Sequence, residues 1–229
     1  MKLIIVYDNN KSLSRLNTGW GLSCLLNDNI LFDTGDNGRA LLENLDILGI
    51  DPEKIQKVFI SHDHWDHWGG LWDFLEKYRH PEVHYSEGFS EDFKKRISEY
   101  KVKTVVRNDI YELAPDIIVS RDFKFTYKNE KMTERVLVCL GKRAVILSGC
   151  AHPGILNIAD QMQNEFPDLD IGGIAGGFHL ESASNEDVIS FFKEAGSRFT
   201  YKFIPLHCSG NNVRGLCGCT ESAGSEIFI

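Results

Sequence analysis

The sequence predicts an α/β (α+β) fold in which two mixed sheets pack face to face with helices on the outside. Short apolar runs of strand length alternate with segments whose apolar residues recur at helical spacing. Both halves of the 229-residue chain repeat one order, which is a hairpin, a helix and a strand that ends at a histidine. Two sheets with helices outside would bury the apolar faces of such a pattern.

The predicted strands are short runs rich in β-branched and aromatic residues. Those at 21–26 and 30–33 are separated by Asn-Asp-Asn, which favours a hairpin. The run at 57–61 leads directly into a cluster of histidines. The remaining predicted strands are 2–7, 135–140, 144–148, 171–177, 202–207 and 226–229.

The predicted helices alternate with these strands. Apolar stripes predict helices over 39–48 and 69–78, and the second half repeats this element at about 155–166. A last helix is expected to have Asn185 as its N-cap and to end at Gly196.

Residues 86–134 are more polar and less regular than the rest of the chain. The sequence therefore predicts a single domain over 1–229 with an insertion at about 86–134. Such an insertion could act as a lid over a site.

Composition excludes several classes of function. A net charge of -8 argues against nonspecific nucleic-acid binding, which requires surplus Lys and Arg. No apolar run approaches the roughly 18 residues of a membrane helix, and the apolar N-terminal run is too short for a signal peptide. We therefore expect a cytoplasmic protein with no membrane partner and with reduced cysteines.

The stretch FISHDHWDHWGG at 59–70 is the strongest functional signal. If the preceding strand continues, His62, His64 and Asp66 lie on one side of it. Asp66 and His67 follow closely enough to hold a second metal. Imidazole with carboxylate suits zinc, iron or manganese in a catalytic site that keeps a position open for water. The alternative is a histidine-rich surface loop without a metal.

The segment SHDHWDHWGG resembles the signature loop of the metallo-β-lactamase superfamily. Three further segments resemble motifs of that family in the same order, namely LFDTG (31–35), ILSGCAHPGI (146–155) and IPLHCSG (204–210). The resemblance implies a four-layer αβ/βα sandwich. The motif set also resembles the branch named for 7,8-dihydropterin-6-methyl-4-(β-D-ribofuranosyl)aminobenzene-5'-phosphate synthase.

The resemblance implies one or two divalent metals per chain, with zinc favoured over iron or manganese. Asp33 corresponds to a residue that orients the histidine loop. The implied ligands are His62, His64 and His152 for the first metal, and Asp66, His67 and His207 for the second.

This chain departs from the family pattern at two places. No histidine lies between His84 and His152, so His152 is the candidate for a ligand that other members carry in the middle third. Cys150 stands near the position of a metal-bridging aspartate. It could be a ligand, although we favour a buried neutral thiol. His179 is either a catalytic or substrate-binding group or a residue that bonds locally.

These features predict a metal-dependent hydrolase that uses a metal-bound hydroxide on a phosphoester or ester of a small anionic molecule. Asp66 would orient the nucleophile, and His179 would stabilise developing negative charge. The alternative is the synthase of the named branch, a pterin-methyl transferase that acts on a pterin pyrophosphate. Specificity would come from the insertion and from Trp20, Trp65, Trp68 and Phe178, and a homo-oligomer stays open.

Overall fold

The computed structural model describes all residues, 1–229, and its architecture is built around two mixed sheets. In the first, the strand order is β15-β1-β2-β3-β4-β5-β6. Its strands are β1 (Lys2–Tyr7), β2 (Ser23–Leu26), β3 (Ile30–Phe32), β4 (Lys57–Phe59), β5 (Glu82–Tyr85), β6 (Thr104–Val106) and β15 (Glu226–Phe228). Pairs from β15 to β3 are antiparallel, and pairs from β3 to β6 are parallel.

The second sheet has the order β14-β13-β12-β11-β8-β7, and a separate hairpin pairs β9 with β10. The strands are β7 (Tyr111–Ala114), β8 (Ile117–Val119), β9 (Phe123–Tyr127), β10 (Glu130–Glu134), β11 (Leu137–Cys139), β12 (Ala144–Ser148), β13 (Ile171–Gly177) and β14 (Lys202–Leu206). β12, β13 and β14 are parallel to one another.

Helices cover the outer face of each sheet. They are α1 (Gly38–Ile47), α2 (Trp65–Trp68), α3 (Leu71–Lys77), α4 (Glu91–Tyr100), α5 (Ile155–Glu165), α6 (Asn185–Arg198) and α7 (Asn211–Cys217). None of them is both long and apolar enough to cross a bilayer.

Strand alternation divides the apolar side chains into three layers. Leu3 and Ile5 of β1 face the layer between the two sheets, together with Leu137 and Leu147 of the second sheet. Ile4 and Val6 face α1 and α3 instead. Val138 and Ile146 face α5 and α6 on the other outside. The predicted sandwich of two sheets with helices outside is confirmed.

Two expectations for the last long helix are wrong. Its N-cap is Ser184, whose hydroxyl accepts a hydrogen bond from Asp187 N, and Asn185 is already helical. The helix also passes through Gly196 and ends at Arg198, because buried Ala195 and Phe199 anchor its last turn against the second sheet.

The segment 86–134, expected to be an insertion, supplies strands to both sheets. β6 extends the edge of the first sheet, and β7 and β8 extend the second. Among the strands of this segment, only β9 and β10 lie outside the two sheets, and their hairpin reaches the histidines described below.

Candidate metal centre

The histidine loop begins where β4 ends. β4 stops at Phe59, and His62 makes only an isolated bridge to Glu134. The chain then enters the single turn α2, of which His64 is the N-cap and Asp66 and His67 are members. The expected continuation of the strand is therefore wrong, and the helical turn separates Asp66 from His62 and His64.

The carboxyl ends of several strands meet at one edge of the sandwich. The histidine loop follows β4, Cys150 and His152 follow β12, and His207 follows β14. Ligand sites in sheets with parallel strands lie outside these ends. The topology thus brings together side chains that are far apart in the sequence.

The first cluster consists of His62, His64 and His152, whose ligand atoms all lie within 4.8 Å of one another. Burial lowers the pKa of His62 well below its usual value and that of His64 to about 4, and the neighbouring imidazoles add to the effect. Both rings are therefore neutral at pH 7, which is the form that binds metals.

The second cluster consists of Asp66, His67, Cys150 and His207, which are all buried and whose ligand atoms also lie within 4.8 Å of one another. His67 Nε2 is 3.1 Å from Cys150 Sγ, and His207 Nε2 is 3.3 Å from Asp66 Oδ2. Burial would raise the pKa of Asp66, but His207 and His67 outweigh it and hold the pKa below its usual value. The carboxylate is therefore ionised at neutral pH.

Oxygen atoms occupy the Nδ1 side of four of these histidines. His62 Nδ1 is 2.9 Å from Ser61 Oγ, and His67 Nδ1 is 2.7 Å from Asp33 Oδ2. His152 Nδ1 is 3.0 Å from Glu134 Oε2, and His207 Nδ1 is 3.0 Å from Asn9 Oδ1. Partners of this kind orient metal-binding imidazoles and leave Nε2 free for the ion.

Asp33 lies where the resemblance implies an orienting residue. Its carboxylate also accepts hydrogen bonds from Ser61 N and Ser61 Oγ, both at 2.8 Å. Burial lowers the pKa of His67, but the charge of Asp33 overcomes this and raises it to about 9. Asp33 therefore ties the histidine loop to β3 and fixes the ring of His67.

Glu134 is a supporting residue that no local sequence pattern identifies. This buried carboxylate accepts backbone N–H bonds from Cys150 at 2.9 Å, Ala151 at 2.7 Å and His152 at 2.8 Å. Burial would raise its pKa, but these bonds and the His152 ring lower it. A carboxylate directly before a predicted buried strand was the available signal, but nothing local linked it to His152.

Asp8 and Asn9 were missed as well. Asp8 Oδ1 accepts a 2.7 Å bond from His207 N, and Asn9 contacts the His207 ring. Both follow the buried strand β1. Polar residues after a buried strand were the signal, but their partner lies about 200 positions away.

All six predicted ligands lie in these two clusters, and His179 lies beside them. Its ring centroid is 4.6 Å from that of His152, and it forms a third group of donors with Cys150 and His152. Cys150, for which we favour a buried neutral thiol over a ligand, is buried, and its sulfur lies close enough to the second cluster to be a donor. Burial raises the pKa of this thiol well above its usual value.

The donor set fits a metal. His64 Nε2 is buried and has no hydrogen-bond partner, which is costly unless something binds there, and the only polar contact of His207 Nε2 is the charged Asp66 Oδ2 at 3.3 Å, without hydrogen-bond geometry. Seven imidazole, carboxylate and thiol groups point at one small region, and these are the ligand types of zinc and its neighbours.

The model of the metallo-beta-lactamase superfamily matches residues 26–152, which is more than half of the chain. The chain belongs to the metallo-beta-lactamase superfamily. The match includes Asp33, the histidine loop and His152 and ends before β13. It therefore does not cover His179 and His207, whose positions beside the other donors come from the structure alone.

Two proteins of Methanocaldococcus jannaschii are similar to this member of the superfamily. One is named 7,8-dihydropterin-6-methyl-4-(beta-D-ribofuranosyl)-aminobenzene-5'-phosphate synthase, and it is 25% identical over 79% of this chain and 75% of its own length. The other is an uncharacterized protein, 27% identical over 83% of this chain and 84% of its own. The expected resemblance to the synthase branch is confirmed.

A solved structure described as a metal-dependent hydrolase of the beta-lactamase superfamily has the same fold. It superposes with a TM-score of 0.79 at 24% identity and covers 100% of this chain and 99% of its own. At this identity the likeness establishes the fold.

Proposed function

We propose that this chain is a metal-dependent hydrolase that cleaves a phosphoester or ester of a small molecule. The observation that carries the proposal is the convergence of the two clusters on one cavity of about 220 Å³. A substrate in that cavity would lie against the side chains that hold the metals. Membership of a superfamily of metal-binding proteins supports the same proposal of a metal-dependent enzyme.

His62, His64 and His152 would hold one divalent metal, and Asp66, His67, Cys150 and His207 the other, with zinc favoured by the imidazole and thiol donors. When bound, such a metal lowers the pKa of a coordinated water to about 7 and polarises the bond under attack.

The chain's own residues would orient the reaction. Asp66 is ionised and nearly buried, so its carboxylate can accept a hydrogen bond from the attacking water and fix its direction. His179 lines the same cavity on the side of His152 and can donate a hydrogen bond to the oxygen on which charge develops. Asp33, Glu134 and Asn9 hold the rings in place.

The test combines metal analysis with hydrolysis. Protein purified without chelator should contain zinc, iron or manganese, and it should cleave bis(p-nitrophenyl) phosphate or p-nitrophenyl acetate. His62→Ala should lose metal and activity, whereas His80→Ala, which alters an exposed histidine outside both clusters, should lose neither. Wild-type protein without metal, or equal loss in both variants, would contradict the proposal.

The relative that is named a synthase favours a second candidate. In that reaction a pterin-methyl group would pass from its pyrophosphate to a phosphorylated ribosyl-aminobenzene, and the same clusters would bind the leaving pyrophosphate. Incubation of metal-loaded protein with both compounds, followed by mass detection of the joined product, tests this candidate. Absence of product would remove it and leave the hydrolase proposal standing.

A further inference from the structure

The cavity beside the two clusters has walls made of aromatic rings. Trp20, Trp65 and Tyr127 line it, together with donors of the clusters and His179. These three side chains come from the loop after β1, from α2 and from the end of β9. No Leu, Ile, Val or Met lines it, so its apolar wall contains no aliphatic chain.

The two tryptophans are unusually exposed for their type. Trp65 is 54% and Trp20 is 39% exposed, and they are two of the three exposed Trp or Phe side chains in the chain, the third being Phe228. Large exposed apolar groups that gather at one place mark binding surfaces, whereas isolated ones are common. Both tryptophans lie at this one cavity.

Each ring is placed next to a metal-ligand candidate. The Trp20 ring centroid lies 4.9 Å from that of His207, and the Tyr127 centroid lies 4.7 Å from that of His64. Trp65 follows His64 directly in the sequence. A group that contacts these rings would therefore be adjacent to the bond that the clusters act on.

The charge of the cavity lining limits the substrate further. Lys128 is the only lysine or arginine among the lining residues, and its Nζ lies 5.0 Å from the Tyr127 ring centroid. It stands at the turn of the β9–β10 hairpin with a φ of 46°. One cation beside the rings suits a substrate with a single additional anionic group.

We propose that the substrate carries a planar aromatic ring next to the ester that is cleaved, with the ring held by Trp20, Trp65 and Tyr127 and an anionic oxygen held by Lys128. This inference rests on the proposed function, because the ester must lie beside the two clusters. Aromatic walls favour a flat ring over an alkyl chain of equal size because aromatic pairs gain energy beyond the area that they bury. The volume of about 220 Å³ is sufficient for one or two fused rings.

The experiment compares two probes of equal charge that differ in one ring, which is planar and aromatic in one probe and saturated in the other. Methylphenylphosphinate and methylcyclohexylphosphinate are both monoanions, and neither contains an ester. Their binding to zinc-loaded protein is measured by calorimetry. We expect the phenyl probe to bind about threefold to tenfold more tightly than the cyclohexyl probe.

Variants assign the preference to the named residues. Trp65→Leu and Trp20→Leu should each reduce the ratio of the two affinities towards one. Lys128→Gln should leave the ratio of the two affinities unchanged, because both probes carry the same charge and neither has a second anionic group. Phe228→Leu, an exposed aromatic residue on β15 that does not line the cavity, should change neither affinity.

Three outcomes would overturn the inference. One is equal or tighter binding of the cyclohexyl probe, and another is an unchanged ratio in both tryptophan variants. The third is a dimer that Trp65→Leu converts to a monomer without change in the ratio, since the ring would then serve self-association. Failure of the hydrolase proposal has a different signature, which is preferential binding of the phenyl probe by a protein that cleaves no ester.

Discussion

The two donor clusters lie side by side, but they differ in chemistry. The first, of His62, His64 and His152, consists of three imidazoles, and two of them are only partly buried. The second contains a carboxylate and a thiol with two imidazoles, and all four side chains are buried. The second cluster can therefore supply negative charge and a soft sulfur to a metal, whereas the first leaves room for water.

The largest expected effect comes from removing one donor of each cluster. His64→Ala should remove the metal of the first cluster and keep that of the second, and Asp66→Asn should do the reverse. Each should lower the rate of ester hydrolysis by more than about 100-fold, which exceeds the loss from removing a supporting partner. Metal content per chain at fixed free zinc measures the first effect. Loss of both metals in each variant would show that the clusters are not separate sites.

Cys150 provides a direct test of the sulfur donor in the second cluster. Cobalt-substituted wild-type protein should show a near-ultraviolet thiolate-to-cobalt absorption band, and Cys150→Ser should lose it. The variant should bind the second zinc about 10- to 100-fold more weakly because serine is a harder and less acidic ligand. Cys139→Ser alters a buried cysteine of the core that belongs to neither cluster and serves as the control. A band that persists in Cys150→Ser would assign the sulfur to another residue.

The supporting carboxylates should act on different clusters. Asp33→Asn should weaken the second cluster through His67, and Glu134→Gln should weaken the first through His152, each by about 10- to 100-fold in metal affinity. Zinc titration of the two variants with a competing chelator measures the affinity of each site. If both variants weaken the same site, the assignment of the two carboxylates is wrong.

The smallest effect concerns a buried histidine outside both clusters. Burial lowers the pKa of His84 to about 4, and its Nδ1 is 3.0 Å from the Tyr111 hydroxyl across the two sheets. Between pH 6.5 and about 4, His84 is protonated in the unfolded chain and neutral in the folded chain. The free energy of unfolding therefore falls from pH 6.5 to about 4 and then levels off.

At pH 5 this amounts to at most about 2 kcal/mol of unfolding free energy. Urea unfolding of metal-free protein at pH 7 and pH 5 measures it. His84→Gln should lose less stability than wild type over that interval, and zinc content at pH 7 should not change. An equal loss of stability in both proteins would show that the pKa of His84 is not lowered in the folded chain.

The sequence predicted what is encoded locally. The His62–His67 loop could be identified because its donors are close together in the sequence and follow an apolar strand. The strands β1, β12 and β13 also have the predicted bounds. Glu134, Asp8 and Asn9 could not be assigned, because their roles depend on strands that meet only after the sheets have formed. The end of α6 was mispredicted because tertiary burial of Phe199 outweighed the local effect of a glycine.

The β9–β10 hairpin carries both residues of the proposed ring-binding wall and a support of the first donor cluster on one segment of backbone. Lys128 and Tyr127 stand at its tip, and Glu134 ends its second strand while holding three successive amides of the loop that carries His152. A displacement of the tip would therefore also shift Glu134, which orients His152. Shortening this hairpin should therefore weaken metal binding by the first cluster as well as binding of the substrate's ring.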